Sequence, residues 1–168
     1  IDELLSDQTY TVCTGHQLNL LTGPAYFIYK IAACIKQAQQ ASKESGKSVL
    51  PIYWMASEDH DWEEINHTHL WRNKVTWSKH VKGPVGRALL QGLESVINEF
   101  KEILGDQSTS ELEELMQVAL DKTENLSDFT FLLVDQLFKH EPLIILNPDA
   151  KELKRLFSPV MKSELLEN

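Results

Sequence analysis

Three short apolar runs punctuate this chain, and each ends in polar or turn-forming residues. The first, Thr9-Tyr10-Thr11-Val12-Cys13, is β-branched and aromatic and gives way at Gly15, which reads as a strand. The second, Val49 through Ala56, is almost uninterrupted apolar sequence, the pattern of a central parallel strand buried on both faces. The third is Leu143-Ile144-Ile145-Leu146, closed by Asn147-Pro148-Asp149. Between the first two, Phe27, Ile31, Ile35 and Ala38 recur at helical spacing. Pro24 suits the first helical position, with Thr22 or Gly23 as N-cap, and Lys43 and Gly46 supply stop signals. Strand, helix, strand is a βαβ unit, whose crossover is right-handed.

After Asn66 the pattern changes. Leu70-Trp71 and Val75-Thr76-Trp77 flank Arg72-Asn73-Lys74 as a hairpin, and Gly83-Pro84 breaks it. Leu89, Leu93, Val96, Ile97, Phe100 and Leu104 share one helical face that ends at Gly105-Asp106. Ser110 with Glu113 matches a capping box for a second helix, and Ser127 opens a third that runs to Phe138. Two helical segments follow residue 149, the second starting at Pro159. The expected fold class is α/β, a small doubly wound core with a parallel sheet, interrupted by a mostly helical insertion. Residues 1–69 form the first part of the core, 70–125 the insertion, and 126–168 the return to the core.

With 168 residues there is enough chain for one domain with a real core. A net charge of −9 argues against a general nucleic-acid or anionic-membrane surface, where Lys and Arg must displace counterions. Two cysteines, Cys13 and Cys34, make neither a disulfide framework nor a four-thiolate metal site, and their apolar context predicts buried, reduced thiols. No apolar run is long enough to span a membrane and no signal-peptide pattern is present, so a cytoplasmic location is expected. The first residue is Ile1, and the last residues fall within an apparent helix, so the sequence reads as part of a longer chain.

If the three strands are parallel neighbours, their polar ends share one rim, where open α/β sheets bind ligands. The first of these segments runs from Thr14 to Pro24. Gly15 and Gly23 permit close backbone approach, and His16 and Gln17 can donate to an anionic oxygen at a helix N-terminus. The second is denser: Glu58-Asp59-His60-Asp61 follows directly behind the buried strand. Such a cluster can supply a general base or orient a substrate ammonium, and Asp59 or Asp61 can equally cap the helix at Trp62. His67 and His69 with Asp59 and His60 resemble a ligand list. Yet His-x-His is a strand spacing without a third fixed ligand, and no metal site is assigned. Lys30 lies two turns into the first helix and, with Tyr26, can face the rim.

Two ordered motifs carry a resemblance. Thr14-Gly15-His16-Gln17 with Leu21-Thr22-Gly23-Pro24-x-Tyr26-x-x-x-Lys30 is the first. Pro51-Ile52-x-Trp54-x-Ala56-x-Glu58-Asp59-His60-Asp61-x-x-Glu64-Ile65-Asn66 is the second. Together they resemble the bacillithiol biosynthesis cysteine-adding enzyme family, BshC, and the likeness extends more weakly through Phe129 to Leu146. Family members are much longer and often have Gln where this chain has His16.

The resemblance implies a cytoplasmic ligase joining L-cysteine to glucosaminyl-malate, a Rossmann-like core akin to class I aminoacyl-tRNA synthetases, and ATP as energy donor. It implies a coiled coil outside this chain and leaves open a homodimer of the full-length protein. On that basis Glu58, Asp59 and His60 are the catalytic candidates. Glu58 or Asp59 would hold an ammonium, and Asp59 or His60 would take the amine proton. The backbone at Thr22, Gly23 and Pro24, with His16 and Gln17, would face phosphate. Tyr26, Lys30, Asp61, Asn66 and Asn147 complete the rim. Another adenylate-forming or nucleotidyl-transferring enzyme of this fold, or a non-catalytic binding fragment, is the alternative.

Overall fold

The computed structural model describes residues 2–166. Its centre is a parallel three-stranded sheet in the order β1 (Thr9–His16), β2 (Ser48–Met55), β5 (Ile144–Leu146). The first strand is longer than its apolar run because β2 goes on pairing with it: Thr14 lies opposite Tyr53, Gly15 opposite Trp54 and His16 opposite Met55. Only three residues of β5 pair, Ile144 to Leu146 against Ile52 to Trp54.

Helix α1 (Ala25–Ser45) links β1 to β2 and ends at Gly46 in the left-handed conformation. Pro24 is its N-cap, not its first helical residue, and Thr22 and Gly23 belong to the preceding turn. That turn takes Leu21, Thr22 and Gly23 all to positive φ. A Cβ at Gly23 would stand 2.5 Å from the Cβ of Asn19, so the turn requires glycine there.

The core lies on one face of the sheet. Phe27, Ile31 and Ile35 of α1 pack with Tyr53 and Met55, and Phe27 meets the Tyr53 ring edge-on at 5.6 Å. Phe129, Leu133 and Val134 of α5 (Leu126–Leu137) join the same cluster. The opposite face is open, contrary to the expectation of burial on both sides. Trp54 is 43% exposed, Leu50, Ile52, Ile144 and Leu146 are only half-buried, and Cys13 is exposed. The expectation of two buried thiols therefore holds for Cys34, whose Sγ donates to Val12 O at 3.2 Å, and fails for Cys13. Alternation along β1 places Val12 inward and Cys13 outward.

The segment between β2 and α5 begins with a short helix, α2 (Trp62–Ile65), and an antiparallel hairpin, β3 (His67–Leu70) and β4 (Asn73–Thr76). The turn falls at Trp71-Arg72, one residue before the predicted one, with Trp71 at φ 53°. Helices α3 (Leu93–Leu104) and α4 (Ser110–Lys122) follow. Leu89 precedes α3 and instead bridges Asn125 in a strand-like contact. Leu126 N donates to Ala88 O, so the helical excursion closes on itself at Ala88 and Leu126. The cap of α4 is Thr109, whose hydroxyl accepts from Leu112 N, and that of α5 is Asn125, whose side chain accepts from Asp128 N. Past β5 the chain forms one helix, α6 (Lys151–Leu166), that carries Pro159 in its interior where two segments were expected. Ser158 Oγ donates to Lys154 O beside that proline.

Candidate functional site

The parallel register brings the ends of all three strands to one rim. Ala56 N donates to His16 O at 3.0 Å, which ties the exit of β2 to the exit of β1. Asn147, just past β5, accepts from Ser57 Oγ at 2.6 Å and from Asp149 N at 3.1 Å, which ties the third exit to the second.

Gln17 is the centre of the rim. Its Nε2 donates to Asp59 Oδ2 at 2.8 Å and to Glu64 Oε2 at 2.9 Å, gathering two carboxylates separated by one turn of chain. The other oxygen of Asp59 accepts from the backbone N–H groups of His60 at 2.6 Å and Asp61 at 3.1 Å. Donation by Gln17, ahead of those backbone bonds, holds the Asp59 carboxyl below the ordinary carboxylate range. A carboxylate so stabilised stays ionised at neutral pH and suits binding a cation better than taking a proton. The side chain of His60 is exposed beside it.

On the β1 side, the His16 ring lies edge-on to Phe27 at 5.1 Å, and its Nδ1 is 3.2 Å from Gln17 O. Burial pushes its pKa below the usual histidine value, and the Lys30 charge adds to the effect, so the imidazole is neutral at pH 7. With Nδ1–H donating to that carbonyl, Nε2 is left as an acceptor. Lys30 Nζ donates to Gly15 O at 2.6 Å and lies 5.6 Å from the Tyr26 ring centre, which puts the ammonium at the rim. Tyr26 itself is exposed.

Four expected contributions do not appear in the form expected. The backbone at Thr22, Gly23 and Pro24 has no free donor: Thr22 N donates to Asn19 O, Gly23 N to Leu20 O, and proline has no N–H. Phe27 N is bonded to Pro24 O, so only the amides of Ala25 and Tyr26 remain at the start of α1. Asn66 is buried, and its backbone is fully engaged, with N donating to Trp62 O and O accepting from Trp77 N; its Oδ1 contacts His67 Nδ1. It anchors the hairpin and does not line the rim. Glu58 is committed to Lys154 in an ion pair of 2.6 Å. Asp61 occupies the N-cap position of α2 but makes no side-chain cap bond.

The structure adds residues that sequence reasoning passed over. Asp149 takes a bidentate contact from Arg87 at 2.6 and 2.8 Å and a further one from Lys154 at 2.5 Å. The Arg87 guanidinium, with Lys154, draws the Asp149 pKa down to about 2. Arg87 reaches this position because the segment before it lies on the Ser57–Asp59 loop: Val85 N donates to Asp59 O at 2.7 Å and Gly86 N to Ser57 O at 2.9 Å. Glu64, which shares Gln17 with Asp59, is the other addition. Among the described residues, no group of three or more His, Cys, Asp or Glu side chains converges in a way that would hold a metal ion. Likewise, no described helix is long and apolar enough to cross a membrane.

The family model for the N-terminal Rossmann-like domain of bacillithiol biosynthesis BshC matches residues 1–168. The chain belongs to the BshC family. A Flavobacterium johnsoniae protein named "Putative cysteine ligase BshC" is 40% identical over 167 residues, covering 98% of this chain and 32% of that protein. Proteins of the same name from Flavobacterium psychrophilum and Bacillus cereus are 41% and 31% identical, covering 97% and 96% of this chain. The chain thus spans about a third of the length of the curated relatives it matches. The Rossmann-like core and the BshC resemblance read from the two motifs both hold, and those motifs supply His16, Gln17, Lys30, Asp59 and Glu64 of the rim just described.

Proposed function

We propose that this domain supplies the amine-binding half of a ligase active site, in a protein that adds L-cysteine to glucosaminyl-malate. The observation that carries the reading is the pair of carboxylates, Asp59 and Glu64, held together by Gln17 at the mouth of the parallel sheet. A preorganised anionic pair at this location is suited to the ammonium of cysteine or the amine of the sugar. His60, whose backbone N–H is fixed to Asp59, is the proton acceptor when the amine attacks an activated carboxyl. Asp59, whose two oxygens already accept from Gln17 and from the backbone N–H groups of His60 and Asp61, is assigned to binding. Glu58 is a positioning residue, held by Lys154.

ATP enters by the family resemblance. The described residues do not by themselves fit a triphosphate: Arg87 and Lys154 are tied to Asp149 and Glu58, and Lys30 with two free amides at the head of α1 are too few donors for it. No step is therefore routed through a nucleotide on this domain.

The test is ligation of cysteine to glucosaminyl-malate by the full-length protein, with and without ATP. Asp59→Asn should raise KM for the amine substrate by roughly tenfold or more, as loss of a charge-assisted contact does. His60→Ala should lower kcat with little change in KM. Wild-type rates in both variants would sink the site assignment, and failure of the wild-type protein to ligate these two compounds would sink the substrate reading.

A further inference from the structure

The rim carries charge of both signs, and the signs are sorted by strand. At the β1 exit, Gln17 gathers the carboxylates of Asp59 and Glu64. At the β5 exit, Asp149 gathers two cations, Arg87 and Lys154. The sheet order β1, β2, β5 sets the two groups on either side of β2. The loop after β2 belongs to both, because Asp59 reaches Gln17 while the residue before it, Glu58, reaches Lys154.

The two acids that pair with these cations differ in kind. The Asp149 side chain is 11% exposed, contacts both cations and has its pKa drawn down to about 2, so it is a permanent anchor. The Glu58 side chain is 45% exposed and contacts Lys154 alone. An exposed ion pair of that kind contributes little and exchanges readily. Arg87 also keeps donors in reserve. Its Nε and Nη2 are spent on Asp149, which leaves Nη1 without a partner among the described residues, on a side chain 63% exposed. The open Nη1–Nη2 edge matches a second carboxylate in bidentate fashion. The segment that carries Arg87 is fixed, since Val85 N is bonded to Asp59 O and Gly86 N to Ser57 O. With Glu58 withdrawn, two cations face one carboxylate, Asp149. The surplus suits a carboxylate ligand and falls well short of a triphosphate.

We propose that Arg87 and Lys154 form the carboxylate-binding subsite for the amine acceptor, where one ligand carboxylate replaces Glu58 on Lys154 and another takes the open edge of Arg87. The inference deepens the reading of the rim as an amine-binding site and rests on it. The ligand class is an amine that carries a dicarboxylate close by. Glucosaminyl-malate has that form, because its amine and its malate sit on neighbouring carbons of the sugar. The rim has the matching order. Its amine-binding and carboxylate-binding halves meet at the consecutive residues Asp59 and Glu58, whose Cα atoms are about 3.8 Å apart. Glu58 is then a resident substitute for the ligand carboxylate, and keeps Lys154 paired until the acceptor arrives.

Calorimetric titration of the full-length protein, without cysteine or nucleotide, separates binding from chemistry. Two probes are used: glucosaminyl-malate, and methyl glucosaminide, which keeps the amine and lacks both carboxylates. The wild type should bind glucosaminyl-malate at least roughly tenfold more tightly than methyl glucosaminide. Arg87→Gln and Lys154→Gln should each erase most of that difference and leave methyl glucosaminide binding within about twofold. Lys154→Gln keeps the Arg87–Asp149 pair and decides the matter should Arg87→Gln not fold. Glu58→Gln should tighten glucosaminyl-malate binding by up to about fivefold, the gain from removing a competing exposed ion pair. Equal wild-type affinity for the two probes, equal losses for both in the Arg87 and Lys154 variants, or unchanged or weaker binding in Glu58→Gln overturns the proposal. Asp59→Asn keeps the two readings apart, because it should weaken both probes alike. If it weakens neither while Arg87→Gln acts on glucosaminyl-malate alone, the amine assignment fails and the carboxylate subsite stands.

Discussion

Gln17 Nε2 stands 2.8 Å from Asp59 Oδ2 although 42 residues separate them in the chain. The contact exists because β1 and β2 are in parallel register, so that the residue following His16 meets the loop following Met55. Its consequence is electrostatic. One neutral amide supplies both of its protons to two carboxylates and lets Asp59 and Glu64 remain ionised side by side.

Replacing Gln17 with Met removes those donors while keeping the side chain's length. The Asp59 pKa should then rise toward the ordinary value near 3.9. Because the folded-state pKa is depressed, the associated stability is present above the unfolded value and lost as pH falls through the folded one. Gln17→Met should therefore flatten the acid dependence of stability in that window. Carboxyl carbon NMR titration of Asp59 checks it directly. An unmoved titration curve would mean that the backbone amides of His60 and Asp61 suffice.

The Arg87–Asp149–Lys154 cluster makes a larger claim on stability. Asp149 has a folded pKa of about 2, against an ordinary 3.8. Its contribution is complete above about pH 4 and disappears as pH falls through about 2. The shift alone corresponds to about 2 kcal/mol, and solvent around the exposed partners reduces this to about 1 kcal/mol for Asp149→Asn at neutral pH. Urea denaturation of the wild-type and variant proteins should show that gap at pH 7 and near coincidence at pH 2 or below. High salt at pH 7 should narrow it.

Much of this was legible in the sequence because it is local. The apolar runs at Val49–Ala56 and Leu143–Leu146 are strands, and the helical spacing from Phe27 to Ala38 is α1. Glu58 to Asp61 do sit at the rim, for a strand followed by a polar loop admits few other placements. What could not be read is what depends on distant partners. Nothing near Arg87 marks it as the mate of Asp149, 62 residues away. The donors of Thr22 and Gly23 were lost to a turn of positive φ that no glycine pattern announces, since two of its three such residues are Leu21 and Thr22. Burial of β2 on both faces follows from composition alone, but Trp54 is exposed and Leu50 and Ile52 are half-buried, because composition does not report which elements pack on each face.

Gly86 should be intolerant of any side chain. A Cβ there would lie 2.2 Å from Ser127 Oγ, 2.7 Å from Ser57 Cβ and 2.8 Å from Ser57 O. Its close approach lets Gly86 N reach Ser57 O, and so holds the Val85–Arg87 segment on the Ser57–Asp59 loop. Gly86→Ala is expected to cost about 1–3 kcal/mol, the range for overpacking a tight site. Adding Ser127→Ala should recover only part of the loss, because Ser57 still blocks the site. Equilibrium urea denaturation of the single and double variants measures both quantities. Full recovery would show that the hydroxyl of Ser127 is the sole obstacle.

His16 provides the sharpest separation of roles. Its pKa lies below 6.5 because burial disfavours the imidazolium, so the folded protein binds a proton there less readily than the unfolded chain. Stability should accordingly fall as pH drops from about 6.5 through the folded-state pKa, and level off below it. A neutral imidazole that only donates and accepts hydrogen bonds is chemically close to a glutamine amide. His16→Gln should thus keep ligation by the full-length protein within about threefold of wild type, since uncharged hydrogen-bonding capacity is preserved. It should also remove the loss of stability on acidification toward pH 5. His16→Phe keeps the ring volume but neither hydrogen bond, and should impair activity without restoring the acid sensitivity. If His16→Gln instead abolishes turnover while His60→Ala does not, the proton acceptor is His16, and the assignment of His60 fails.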